Sequence, residues 1–287
     1  MALRGSRAGA PLDVEVTLEL GSGKRATLNG ASLRAAEQLR SEVTTLVFTP
    51  DRLVVVKGGP AARRAYFDRV FGRVAPNRAS LSAEYGAAVG QRNAALRRVA
   101  QGVSSREALA PWNEQVSTLA AELVAGRHAT VEALQPGFAE RASELGLPQG
   151  ELRYEGAAPS VEELERRIDR DLERGATGIG PHLDDLGVLS AERDLRVFGS
   201  QGEQRLAVLA LLLAEADLIE ERRGTRPLLL LDDVLSELDP DRRGILADRV
   251  RASGQALVTS ASRAALPGEP AQTLEVSQRA DGTSEVR

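Results

Sequence analysis

Two adjacent carboxylates, Asp232 and Asp233, follow four consecutive leucines, Leu228 to Leu231. Paired acids at a phosphate divide the work. One holds Mg²⁺, usually through water, and its neighbour orients or deprotonates an attacking water. The leucine run reads as a buried strand of a parallel sheet, apolar on both faces. Its carboxyl end is where open α/β sheets bind ligands. Taken alone, the pattern equally describes a strand end followed by a helix cap. Upstream, Ser200-Gln201-Gly202-Glu203-Gln204 opens a helix. Ser200 with Glu203 three residues later is a capping box, a purely structural device. A helix start is also an anion site, and Gly202 admits a phosphate close to the backbone. Downstream, Ser236-Glu237-Leu238-Asp239 precedes Pro240, so Asp239 reads as an N-cap with proline at the first helical position.

A Ser-x-Gly-x-Gln turn, a Walker B strand and a Ser-x-Leu-Asp loop stand in the C-terminal order of ABC-type ATPases. The wording of Phe198 to Arg205 and of Leu228 to Asp239 closely resembles the RecF family, bacterial DNA replication and repair proteins related to the SMC and Rad50 heads. Further matches are Phe48-Thr49-Pro50-Asp51, Val56-Lys57-Gly58-Gly59-Pro60 and Gly180 to Leu186. Together they run from about residue 14 to residue 260.

The resemblance implies an α/β fold: an ABC-type ATPase head, partial because its P-loop unit is missing, carrying an inserted helical arm. The head would be discontinuous, residues 1–70 and 175–287, with the arm at 71–174. The implied cofactors are ATP and Mg²⁺. Asp232 would hold the metal, and Asp233 would stand where most ABC ATPases have Glu. Ser200, Gly202 and Gln204 would form the signature that touches the γ-phosphate of ATP held by the other subunit. Asp239 would sit in the dimer-contact loop, and Thr259-Ser260 takes the place of the switch residue. The implied action is ATP-dependent homodimerisation on DNA at single-strand/double-strand junctions. There, RecO- and RecR-type partners help to load recombinase. The family usually has Arg where this chain has Leu183.

The supporting elements follow from periodicity. Val14 to Leu20 alternates apolar and polar residues, a half-exposed strand. Gly21 to Lys24 turns it back into Arg25 to Leu28. Ala31 to Arg40 reads as a short helix and Thr44 to Phe48 as a strand. A long helical region begins at Ala61. Its Arg63, Arg64, Arg69 and Arg73 read as a solvated helix face or, under the resemblance, as a backbone-phosphate contact. From Arg73 to Glu173 the chain is helical, with breaks expected at Pro76, Gly102, Pro111, Pro136, Pro148 and Pro159. Leu119, Leu123, Val131 and Leu134 are spaced amphipathically. Leu152 to Tyr154 is a short strand, and Trp112 and His128 are packing residues. Helices follow at Ser200 to Glu221, with Leu206, Leu209, Leu213 and Ile219 buried, and at Asp241 to Ser253, with a strand at Ala256 to Thr259. The tail is strand-like near Thr273 to Val276, and residues 1–11 read as disordered.

A chain of 287 residues with 42% hydrophobic residues builds a real core. Its net charge of −4 carries no global signal for nucleic acid. With no cysteine, disulfides and thiolate metal sites are excluded. No apolar run reaches membrane-span length, and the expected location is cytoplasmic, with no membrane partner. His182, Asp184 and Asp185 make a weak metal set and read better as a packed turn.

No Gly-x₄-Gly-Lys-Ser/Thr occurs in the chain. At Gly23-Lys24 the required first glycine is Leu18, and Arg25 stands in place of the hydroxyl. The expected reasons are a fragment, a mis-called start or a degenerate copy, which leaves ATPase activity open. The rival functions are a non-catalytic remnant acting by protein or DNA contact alone, and a transporter's nucleotide-binding subunit. The helical arm and the absent switch histidine argue against the transporter.

Overall fold

The computed structural model describes residues 2–7, 10–19, 23–33, 43–236, 238–252, 254–265, 269–279 and 282–286. Four strands come first: β1 (Ala2–Arg7), β2 (Ala10–Glu19), β3 (Gly23–Leu28) and β4 (Ala31–Leu33). They form an antiparallel sheet in that order, with Val14 opposite Leu28. The alternation of residues 14–19 is therefore a strand as expected. Two expectations are corrected. Residues 2–7, read as disordered, pair along β2. Ala31 to Leu33, read as helix, is strand. The rest of that expected helix, 34–40, lies outside the described residues, as do Leu20 and, in the turn, Gly21 and Ser22.

β5 (Thr45–Phe48) leads through a 3₁₀ turn into α1 (Val54–Lys57) and α2 (Pro60–Val74). Then come α3 (Leu81–Ala100) and α4 (Ala110–Glu144). Pro111 starts α4 instead of breaking it, since a first-turn proline forfeits no bond. Pro136 does not end it either. An interior proline costs a helix about 3 kcal/mol. Here Leu134 and Phe138, both buried, lock the turns on either side into the core. β6 (Gly150–Tyr154), α5 (Val161–Arg166) and α6 (Ile168–Arg174) follow.

β7 (Leu186–Ser190) and β8 (Arg193–Asp194) join β6 in an antiparallel sheet. α7 (Leu195–Phe198) and α8 (Gln201–Arg223) then lead to β9 (Leu228–Leu231). Last come α9 (Pro240–Ala252), β10 (Ala256–Val258), β11 (Val276–Gln278) and β12 (Ser284–Val286). The final pair is a hairpin, slightly later than the tail strand expected at Thr273.

The leucine strand β9 lies between β10 and β5, parallel to both, with Leu231 opposite Val258 and Phe48. Residues far apart in sequence thus share one sheet, while the hairpin of residues 14–28 belongs to a separate sheet. Leu229 and Leu231 are fully buried; Leu228 and Leu230, on the other face, are half-buried. The expectation of a strand covered on both faces holds for one face only. α8 runs through the core, buried at every position from Leu206 to Ala214, more than the one stripe expected. α4 packs along α8. At Gly137 a Cβ would come within 3.4 Å of Ala214, so glycine permits this close approach. A second apolar cluster, with Leu81, Tyr85, Val116, Leu123 and Leu164, holds α3, α4 and α5 together.

Candidate nucleotide site

Strand β9 ends at Leu231, and the carboxylates emerge where the ladder runs out. Asp232 N–H donates to the Phe48 carbonyl of β5 at 2.9 Å, and Thr259 N–H donates to the Leu231 carbonyl at 2.9 Å. The Thr259 hydroxyl joins the two acids. It donates to Asp232 Oδ1 at 2.6 Å and accepts from Asp233 N–H at 3.1 Å. Both carboxylates are exposed. Asp233 adopts a left-handed φ of 49°, a conformation aspartate tolerates better than most side chains. The turn is closed by Ser236 Oγ donating to the Asp233 carbonyl at 3.0 Å. Two exposed carboxylates, one with a single oxygen engaged by a hydroxyl, suit a water-mediated hard cation better than an all-protein cage. Among the described residues no group of three or more His, Cys, Asp or Glu is placed to hold a metal by itself.

The Ser200 turn is a separate surface. Ser200 Oγ accepts from Glu203 N–H at 3.2 Å, and Glu203 accepts from Ser200 N–H at 2.7 Å, which completes the capping box. Those bonds hold the Glu203 carboxyl below its usual range. Ser200, Gln201 and Gly202 are exposed. A Cβ at Gly202 would meet nothing nearer than Ser200 Oγ at 3.9 Å, so the backbone there stands open. Gln204 does not share that exposure. It is buried, and its Nε2 donates to the Leu195 carbonyl at 2.8 Å, tying α7 to α8. Val197 and Phe198, just before the turn, are 66% and 65% exposed. Among the described residues no hydrogen bond or ion pair joins this turn to Asp232 or Asp233. Asp239 caps α9 as expected: Oδ1 accepts from Arg242 N–H at 2.9 Å and Oδ2 from the Arg242 guanidinium at 2.8 Å. The first of these chiefly keeps its carboxyl below the usual range. Glu237 lies outside the described residues.

The arginines of α2 are neither a solvated face nor one phosphate-contact row. Arg63 is buried and forks onto Asp185, 2.7 Å on each arm, while donating to the Gly58 carbonyl at 2.8 Å. Arg64 donates to the Asp184 carbonyl at 2.6 Å. Arg73 pairs with buried Glu215. The turn of residues 180–185 is likewise packed. His182 Nε2 donates to the Thr177 carbonyl at 3.0 Å, and Nδ1 faces the Tyr85 hydroxyl at 2.8 Å. Burial lowers the His182 pKa. Asp184 accepts from the Tyr154 hydroxyl at 2.7 Å. These bonds account for the His-Asp-Asp set without a metal. Leu183 is exposed, Trp112 is half-buried, and the ring of exposed His128 lies tilted at 49° against Tyr154, centroids 4.7 Å apart.

Burial alone would raise the Asp185 pKa, but the Arg63 bonds and the Leu186 N–H outweigh it and hold it low. Its folded pKa lies below its unfolded one. The pair therefore stabilises the fold above the ordinary carboxylate range and is lost as pH falls through the folded value. Replacing Asp185 by Asn leaves buried Arg63 without its anion. We expect a loss of about 1–3 kcal/mol at pH 7, shrinking toward acid, in urea unfolding across pH. An equal loss at every pH would contradict the linkage.

A capped helix start with open backbone, paired acids at the end of a central parallel strand and an inserted helical region define an ABC-type ATPase head. A solved SMC head, bound to the C-winged helix domain of ScpA, has the same fold: TM-score 0.53, 18% identity, covering 98% of this chain and 68% of that one. No family model matches the chain. The DNA replication and repair protein RecF of Heliobacterium modesticaldum is 35% identical over 252 residues, 83% of this chain and 68% of that protein. A solved structure of the recombination mediator protein RecF with ATP, in the RecFOR pathway, superposes at TM-score 0.81 with 26% identity, covering 97% of this chain and 76% of that one. The chain belongs to the RecF family of DNA replication and repair proteins.

Proposed function

We propose that this chain acts as a RecF-type clamp. It closes on DNA at single-strand/double-strand junctions in an ATP-dependent dimer and helps RecO- and RecR-type partners to load recombinase. In this reading residues 1–70 and 175–287 form the head, residues 71–174 form the arm, and the work is done in the cytoplasm. The observation that carries the proposal is the open turn at Ser200 and Gly202, set on a 23-residue helix bedded in the core. A helix start held this rigidly meets a phosphate with little reorganisation. The turn and the acids at Asp232 and Asp233 do not touch, as expected if each serves a different nucleotide of a two-site dimer. Asp232 would hold Mg²⁺ through water, and the ion would neutralise phosphate charge there. Asp233 would orient the water, with Thr259 fixing both acids. Gln204 serves as the strut that fixes the turn, and Asp239 orders the loop before α9.

The test mixes the chain with an intact relative of the family and follows sedimentation with and without ATP on a gapped duplex. The expected result is a heterodimer that forms only with ATP. Association indifferent to ATP favours the rival reading, a remnant acting by protein or DNA contact alone.

A further inference from the structure

We propose that Arg52, Arg69 and Arg73 form a phosphate-binding site beside β5, at the outer edge of the central sheet, taking a DNA backbone phosphate or a free phosphate. The site rests on the RecF-type reading only for the DNA source. Tyr66, Arg69 and Arg73 fall on one side of α2, at i, i+3 and i+7. Beneath them Glu215 of α8 is buried; it takes Arg73 on one oxygen and the Tyr66 hydroxyl on the other at 3.2 Å. Arg52 shares with Tyr66 and Glu215 the lining of a cavity of about 10 Å³, no larger than one water.

Among the described residues the charges do not balance. Three guanidiniums gather around one carboxylate, and burial keeps Tyr66 neutral by raising its pKa. Arg52 and Arg69 have no side-chain hydrogen bond or ion pair among the described residues, whereas Arg63, Arg64 and Arg73 all have partners. Partial loss of water first, and then the like charges of Arg52 and Arg73, lower the Arg69 pKa. An anion relieves such crowding, and planar guanidinium forks match phosphate oxygens best. Glu215 anchors Arg73 from below, so the site is held by the core and is not a loose surface pair. Of the four arginines that sequence spacing put on α2, only two point here, and Arg52 comes from the turn after β5.

The experiment compares the parent, the double variant Arg52→Gln/Arg69→Gln and, as a control for removing an exposed positive charge elsewhere, Arg98→Gln on the exposed face of α3. Neither replaced arginine has a side-chain hydrogen bond or ion pair among the described residues, so the double variant is expected to fold, and its melting curves check that it does. Affinity for a short DNA duplex is measured by fluorescence anisotropy across KCl concentrations. The expected result is a salt slope lower by about 0.9 for each lost phosphate contact, with Arg98→Gln unchanged. In parallel, melting is compared in sodium phosphate and sodium chloride at equal ionic strength. Phosphate stabilisation of the parent but not of the double variant, with DNA slopes equal, assigns the site to free phosphate. If slope and melting are both the same in parent and double variant, the site does not exist. A parent that fails to bind DNA at all overturns the RecF-type reading instead, and melting then decides the site alone.

Discussion

Replacing Arg92 by Met destabilises the protein by about 3–5 kcal/mol, the cost of breaking a buried ion pair from one side. Arg92 and Asp171 are both 0% exposed and meet at 2.8 Å. The same guanidinium donates to Asn113 Oδ1 at 2.8 Å, to Thr177 Oγ1 at 2.8 Å and to the Leu164 carbonyl at 3.4 Å. It therefore ties α3 to α4, α5 and α6 and to the start of the 177–185 turn. Methionine fills much of the volume but leaves the Asp171 carboxylate without its cation. Among the described residues that carboxylate then keeps only the Gly178 N–H at 3.1 Å. Replacing both residues, Arg92→Met with Asp171→Leu, removes the stranded charge and should recover more than half of the loss. Recovery stays incomplete because Asn113 and Gly178 lose their partners as well. Urea unfolding at pH 7 measures both variants. A double variant as unstable as the single one would mean that packing, not the stranded charge, sets the cost.

Ser200→Arg abolishes ATP-dependent association with an intact relative, whereas Ser200→Ala leaves it nearly intact. The contrast separates two roles of one residue. Either change removes the cap that Ser200 Oγ gives Glu203 N–H, at about 1 kcal/mol of stability. Only arginine adds bulk and a charge over the open backbone of Gly202, where the partner's phosphate would sit. Two variants of matched stability should then differ at least about 100-fold in association, roughly 3 kcal/mol, a magnitude ordinary for losing one preorganised anion site. Asp233→Asn should change little in such a mixed dimer, because it lies in the other nucleotide site. Sedimentation with and without ATP reads all three. Equal association of the arginine and alanine variants would leave Ser200 a helix cap and nothing more.

Local chemistry makes much of this molecule legible in its sequence. The leucine run announces a central parallel strand because four apolar residues need a buried sheet, and the paired acids have to fall at its end. The box of Ser200 and Glu203 and the cap at Asp239 are written in adjacent residues, so their hydrogen bonds follow from spacing alone. The family wording at Phe198 to Arg205 carries the class of protein. What spacing does not say is where long side chains end. Four arginines on α2 look alike in sequence. Yet Arg63 turns to Asp185, 122 residues away, Arg64 to the Asp184 carbonyl and Arg73 to Glu215, 142 residues away. A charged side chain entering the core takes whichever partner the tertiary packing presents, because leaving it unpaired there costs several kcal/mol. The same reason explains Pro136. The local rule ends a helix there, and only the burial of Leu134 and Phe138 against distant elements overrides it. Pairing of Asp232 with Thr259 likewise exists only once β9 and β10 lie side by side, and the gathering of Arg52 and Arg69 over Glu215 only once α8 packs beneath α2.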